Sequence, residues 1–216
     1  MLSRVIALAF VLLLPRAAGA MFFEVEYLTD AKMPAVSGYG NIEPGDAVRL
    51  EVALSQMPRI EPAGIKLLAL NSNGGSVQEA YRMAEVIDRV GGVMAVVPDA
   101  ALCASACTLV YLAADYRIVT GEGALGFHSC RDASTGIANQ LCNEEMADFA
   151  MQQGTFLNTV LQFTKNVPPN RMAYFDQELA DCWELTRWPG SQPDGHGNCA
   201  EKAFEEAMER HFREQE

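Results

Sequence analysis

The chain has 216 residues, half of them hydrophobic and a fifth charged, with a net charge of −12. That length and composition suit one domain with a real core and exclude a disordered chain. The acidic balance excludes a nucleic-acid surface, where Lys and Arg must neutralise phosphates.

Residues 1–20 read as a secretory leader. Arg4 gives a positive start, Val5 to Leu14 form an apolar run, and Ala18-Gly19-Ala20 is a small-residue cleavage site before Met21. The apolar run is shorter than the roughly twenty residues that span a bilayer. An uncleaved N-terminal membrane anchor is the alternative. Residues 21–216 are expected to form a single domain, periplasmic or secreted, with its core over residues 48–186.

Export decides how the six cysteines are read. In an oxidising compartment Cys103, Cys107, Cys130, Cys142, Cys182 and Cys199 form disulfides. Cys130 with Cys142 and Cys182 with Cys199 would close short loops. If Cys103 and Cys107 share one helical turn, their Cβ atoms lie about 5–6 Å apart, beyond the roughly 3.5–4.5 Å of a disulfide, which disfavours their pairing. A zinc site from Cys103, Cys107, Cys130 and His128 is the competing arrangement, but no C-x-x-C pair supports it. No metal or other cofactor is expected.

After a weakly patterned stretch over 21–46, Glu43-Pro44-Gly45-Asp46 marks a turn. Val48, Leu50, Val52 and Leu54 then alternate with Arg49, Glu51 and Ala53, the period of a half-buried strand. Ile65 to Leu70 is nearly continuous in apolar residues, as in a strand covered on both faces. Asn71-Ser72-Asn73-Gly74-Gly75-Ser76 is a turn cluster, and Val77, Ala80, Tyr81, Ala84 and Ile87 recur at helical spacing up to Gly91-Gly92. Val93 to Val97 is another strand, closing a strand–turn–helix–strand unit of a parallel sheet.

The pattern repeats. Leu102-Cys103-Ala104-Ser105-Ala106-Cys107-Thr108 opens a helix running to Ala114, and Tyr116 to Thr120 reads as a strand. Gly121-Glu122-Gly123 turns the chain, and the apolar Ala124-Leu125-Gly126-Phe127 leads into His128. A glycine turn, a serine and a histidine thus fall at the ends of successive βα units, where α/β sheets assemble their sites. Ser105 alone would read as a helix cap. A helical region follows, with Met146, Phe149, Ala150, Phe156, Leu157, Val160 and Leu161 at helical intervals, broken near Gln153-Gly154 and ended by Pro168-Pro169. The stretch from Arg187 to Asn198 is loop-like, and Ala200 to Glu216 is an amphipathic helix. His196 and His211 read as surface residues.

The ordered set Leu70-Asn71-Ser72-Asn73-Gly74-Gly75-Ser76, Cys103-Ala104-Ser105-Ala106-Cys107 and Leu125-Gly126-Phe127-His128 resembles the proteolytic subunit of the Clp protease, and more closely its exported relatives. The resemblance covers residues 48–186. It implies an α/β, crotonase-like stack of βα units with a largely parallel sheet and a projecting helical segment used for self-association. It also implies Ser105 as nucleophile, His128 as base, a glycine-turn oxyanion hole, and an orienting aspartate. Asp181, followed by Leu185-Thr186, matches the last of these best, and Asp176 is its competitor.

The residue types suit that chemistry. A serine hydroxyl needs a base to take its proton, and histidine titrates in the right range. The N–H groups of Gly75 and Ala106 are candidates to stabilise the oxyanion formed when Ser105 attacks a carbonyl. The expected function is an exported, ATP-independent serine hydrolase, a peptidase acting on peptides or unfolded chains. No nucleotide-binding loop is visible, and neither an ATPase partner nor a nucleic acid is expected. The rival is a catalytically silent crotonase-like binding or assembly protein. Two lesser alternatives are a Ser-Lys dyad using Lys66 or Lys165, as in signal peptide peptidases, and a thiol nucleophile at Cys103 or Cys107.

Overall fold

The computed structural model describes residues 19–28, 33–132, 134–155, 159–160, 163 and 166–191. Residues 1–18 of the expected leader, the expected C-terminal helix, Lys165 and Cys199 lie outside the described residues.

In chain order the elements are β1 (Phe22–Leu28), β2 (Met33–Tyr39), α1 (Asp46–Gln56), β3 (Lys66–Asn71), α2 (Val77–Val90) and β4 (Val93–Val97). There follow β5 (Leu102–Ala104), α3 (Ala106–Leu112), β6 (Tyr116–Val119), β7 (Ala124–Phe127), α4 (Gln140–Gln152), β8 (Ala173–Phe175) and α5 (Gln177–Cys182). One sheet runs β1-β2-β3-β4-β6, parallel throughout except for the antiparallel β1–β2 pair. A second sheet runs β5-β7-β8, with β5 and β7 parallel and β8 antiparallel. The architecture is therefore mixed α/β.

The central strands form where continuous apolar runs leave no polar face. All five residues of β4 are buried, and so are Leu67 to Leu70 of β3. Helices α2 and α3 pack against each other and their buried faces extend the same core. Ser76 caps α2 by accepting from the Glu79 N–H, and Gly91 ends it at φ +61, an angle that favours glycine.

The expected strand over Val48–Leu54 is instead helix α1. Val48 and Val52 are 65 % and 50 % exposed, while Leu50 and Leu54 are fully buried. Residues two apart share one face of a strand, but Leu50 and Leu54, four apart, also share one helical face. With Ala47 and Ala53 buried beside them, the helical face covers the core and the valines face out. Leu54→Ala is expected to lower unfolding free energy by about 3–5 kcal/mol and Val52→Thr by less than about 0.5, measured by denaturant titration. A strand would make the two losses comparable.

Four more strands, β1, β2, β5 and β8, are not expected from sequence, and β8 follows Pro168-Pro169 at the end of the stretch read as helical. β1 and β2 occupy the weakly patterned stretch, and β1 is an edge strand with Phe22, Val25 and Tyr27 exposed, so its alternation marks no clear inner face. β5 is a three-residue strand inside the small-residue run. Arg117 of β6 is fully buried; its guanidinium donates to the carbonyls of Leu112 at 2.7 Å and Gln153 at 3.2 Å, tying the ends of α3 and α4 together. Among the described residues no helix is long and apolar enough to cross a membrane.

Cys130 and Cys142 are bridged, as expected. Cys103 and Cys107 are bridged to each other, with Cα atoms 5.2 Å apart, against expectation. The two do not share a helical turn: Cys103 lies in β5, and the chain reverses at Ser105 before α3 begins. Cys182 is also disulfide-bonded, while its expected pairing with Cys199 falls partly outside the described residues. Bridged sulfurs are neither nucleophiles nor thiolate ligands, so the thiol alternative and the Cys103, Cys107, Cys130 and His128 zinc set have no thiolate to use. The disulfides point to an oxidising environment.

Candidate active site

Three chain segments leave neighbouring strands side by side. Ser72, just past β3, takes its place beside β5: its N–H donates to the Leu102 carbonyl at 2.6 Å and its carbonyl accepts from Ala104 N–H at 2.9 Å. Ser105 N–H donates to the Gly126 carbonyl of β7 at 2.8 Å. The glycine turn after β3, the serine after β5 and the histidine after β7 are thereby held at the carboxyl ends of adjacent parallel strands.

Ser105 occupies the N-cap position of α3, but its side chain makes no capping bond. Its backbone lies at φ +54, ψ −128, a conformation that a residue bearing a Cβ rarely adopts, and one that costs about 1–3 kcal/mol. This sharp strand-to-helix turn directs Oγ away from the helix. The Oγ lies 2.8 Å from His128 Nε2. His128 Nδ1 lies 2.8 Å from the Ser129 carbonyl, which can only accept, so Nδ1 carries the proton and Nε2 accepts from the serine hydroxyl. That tautomer is the one a general base needs.

The glycine turn packs directly on the serine. A Cβ placed on Gly74 would lie 2.6 Å from the Ala104 carbonyl oxygen, 2.8 Å from Ser105 Cβ and 2.9 Å from the Ala106 nitrogen. Gly74 N–H donates to Ser72 Oγ at 3.1 Å. The N–H groups of Gly75 and of Ala106, the first residue of α3, are without a partner among the described residues. Gly75 is in turn braced from behind by Ile42, whose N–H donates to the Gly74 carbonyl at 2.8 Å and whose carbonyl accepts from Ser76 N–H at 2.9 Å.

Ser105 and His128 open into a cleft of about 680 Å³ lined also by Asn41, Glu43, Arg131, Met146 and Met172. None of these five is a site residue in the sequence reading, where Met146 is placed only on a helical face and Glu43 only in a turn. Asn41 and Glu43 come from the unpatterned stretch, and Arg131 follows His128 by three positions with only its charge as a signal.

Neither candidate aspartate reaches His128. Asp181 accepts from Thr186 Oγ1 at 2.5 Å, so the Leu-Thr step expected to fix its register consumes the carboxylate locally. Asp176 caps α5, accepting from Leu179 N–H at 2.9 Å. Both line a different, shallow cleft with Gly121. The imidazole is oriented by the Ser129 carbonyl instead. Lys66 is also elsewhere, its Nζ donating to the Leu54 and Met57 carbonyls at the end of α1.

Burial holds the His128 pKa below its ordinary 6.5; the hydrogen bond to the Ser129 carbonyl opposes this and the Arg131 cation adds to it. A lowered pKa keeps the imidazole neutral, and so basic, to lower pH. The acidic limb of a kcat/KM profile is therefore expected below pH 6.5, and Arg131→Gln is expected to move it upward. A limb above pH 7 would contradict this environment.

The pair can pass a proton from Ser105 to His128 as the serine oxygen attacks, with two backbone N–H groups close to the same serine. Comparison with models of known protein families gives no match, and neither does comparison with the curated proteins.

Proposed function

We propose that the protein is an exported serine hydrolase, a peptidase that acts without ATP on peptides or already unfolded chains. The observation that carries this reading is the Ser105 hydroxyl donating to His128 Nε2 at 2.8 Å from a strained strand-to-helix turn at the mouth of a cleft. In the proposed reaction, Ser105 Oγ attacks a carbonyl carbon as its proton passes to His128. Gly75 and Ala106 N–H groups stabilise the oxyanion, and His128 then protonates the leaving amine. Water, deprotonated by the same histidine, hydrolyses the acyl-enzyme. The order of elements agrees with a crotonase-like stack of βα units, and the disulfides support a periplasmic or secreted location after removal of the leader.

A fluorophosphonate probe, which requires an activated serine, tests the assignment. Wild-type protein is expected to label, and Ser105→Ala and His128→Ala are not. Equal labelling of wild type and Ser105→Ala, or of neither, would sink it. The catalytically silent rival draws support from one observation: no carboxylate touches His128 among the described residues. Labelling without turnover of any peptide or ester would favour that rival.

Self-association belongs to the same proposal. Leu141 and Met151 of α4 are 66 % and 44 % exposed, and the expected result in light scattering is a mass above that of one chain. A monomeric mass removes self-association and leaves the hydrolase reading standing.

A further inference from the structure

Asp46 is completely buried, and so in effect is Met21, at 1 % exposure. One carboxylate oxygen of Asp46, Oδ1, accepts from the Arg49 guanidinium at 2.6 Å. The other, Oδ2, accepts from the Glu43 N–H at 2.6 Å and from the Met21 backbone nitrogen at 3.2 Å. Gly19 and Ala20, immediately before Met21, are exposed on the surface, where Ala20 bridges to Asn41. A buried carboxylate aimed at a backbone nitrogen 25 positions away is unusual in a chain where most carboxylates are solvated. The nitrogen it meets belongs to the residue that would become the first of the mature chain.

We propose that cleavage between Ala20 and Met21 creates a buried ion pair between the new Met21 α-ammonium and Asp46, and that this pair locks the glycine turn of the catalytic site. The proposal rests on the leader reading of residues 1–20. In the cleavage, water adds across the Ala20–Met21 amide under catalysis by a membrane leader peptidase. The C–N bond breaks, Ala20 leaves as a carboxylate and Met21 nitrogen becomes an ammonium. A single amide donor at Asp46 Oδ2 is thus replaced by a cation with three donors, beside a carboxylate that is fully buried in the uncleaved chain.

The pair is joined to the catalytic site by contiguous bonds. Asp46 Oδ2 fixes the Glu43 N–H, and the preceding residue, Ile42, bonds on both sides of the Gly74–Ser76 turn. Gly75 lies so close that an added Cβ would sit 2.3 Å from the Ile42 carbonyl oxygen. The same Gly74 backbone packs on Ser105. Met21 nitrogen and Asp46 are therefore positioning groups for the N–H of Gly75, without touching substrate.

The full chain, exported from a bacterial host and purified, is expected to begin at Met21 by N-terminal sequencing and intact mass. Its α-amino group is expected to react with an amine-selective reagent at least about tenfold more slowly in the native protein than after denaturation. A second form that retains Gly19-Ala20 ahead of Met21 keeps the amide donor but lacks the buried charge. Asp46→Asn is expected to lower Tm by at least about 5 °C more in the Met21 form than in the extended form, since breaking a buried pair strands a charge.

A start at another residue, or an α-amino group that labels equally fast folded and unfolded, would overturn the proposal. So would equal Tm losses in the two forms. The labelling needs no variant, so a poorly folding Asp46→Asn protein does not block the test. Fluorophosphonate labelling of Ser105 is read separately, so a failed hydrolase assignment leaves the Tm and protection results interpretable.

Discussion

Hydrolysis of a peptide or ester substrate is expected to fall about 10⁴-fold or more in kcat when Ser105 becomes alanine, with His128→Ala comparable and the double variant little worse than either. The non-additivity is the informative part. Ser105 Oγ and His128 Nε2 share one hydrogen bond, and among the described residues the histidine has no other hydrogen-bond partner than the Ser129 carbonyl. Once the serine is gone, the base has no proton to take, and once the base is gone, the hydroxyl is a poor nucleophile. Losses that multiplied in the double variant would mean two independent functions, and a Ser105→Ala protein that still turned over would place the chemistry elsewhere. Because the orienting group is a neutral carbonyl, no substitution of Asp181 or Asp176 is expected to reproduce either loss.

Gly74→Ala is expected to reduce kcat about 10²–10³-fold and to destabilise the fold by about 1–3 kcal/mol. The added methyl would sit within 3 Å of the Ala104 carbonyl oxygen, Ser105 Cβ and the Ala106 nitrogen, and the backbone is at φ +94. Two of those three neighbours are backbone atoms that cannot rotate away, so the glycine turn and the start of α3 must separate. That separation moves the Gly75 and Ala106 N–H groups apart, the two donors proposed for the oxyanion. Gly64→Ala is the control: Gly64 also has positive φ, at +65, but nothing lies within 4 Å of its added Cβ. It is expected to lose about 1 kcal/mol of stability and no activity. Unfolding by denaturant and steady-state kinetics on the two variants separate strain from damage to the site, and equal activities would refute the role given to the turn.

The parts of the site that could be read from sequence are those with a side-chain signature. Ser105 and His128 are polar residues in apolar or small-residue company, at the ends of units whose strands announce themselves by continuous burial, as β3 and β4 do. Gly74 and Gly75 announce a backbone that needs room. The orienting partner of His128 had no such signature: it is a main-chain carbonyl, which every residue carries, and only the path of the chain after β7 decides that Ser129 supplies it. The bridge between Cys103 and Cys107 was hidden for a related reason, since their separation depends on whether Ser105 continues a helix or breaks it. Helix α1 was misread because residues at 48, 50, 52 and 54 satisfy a period of two and also pair at four, and only the exposure of the two valines separates the cases. Asp46 looked like a turn residue because burial of its carboxylate depends on β1 and on Met21, which come from the stretch with the weakest pattern.

The bridge from Cys103 to Cys107 encloses Ser105, the proposed nucleophile, in a ring of five residues. A covalent ring that small restricts the same backbone angles whether or not the rest of the chain is folded, because loop closure acts on the denatured ensemble. Folding thus has less conformational freedom to remove around Ser105 than in an open chain. The ring restrains only the backbone around Ser105, while its contacts with His128, Gly126 and Gly74 come from the folded sheets.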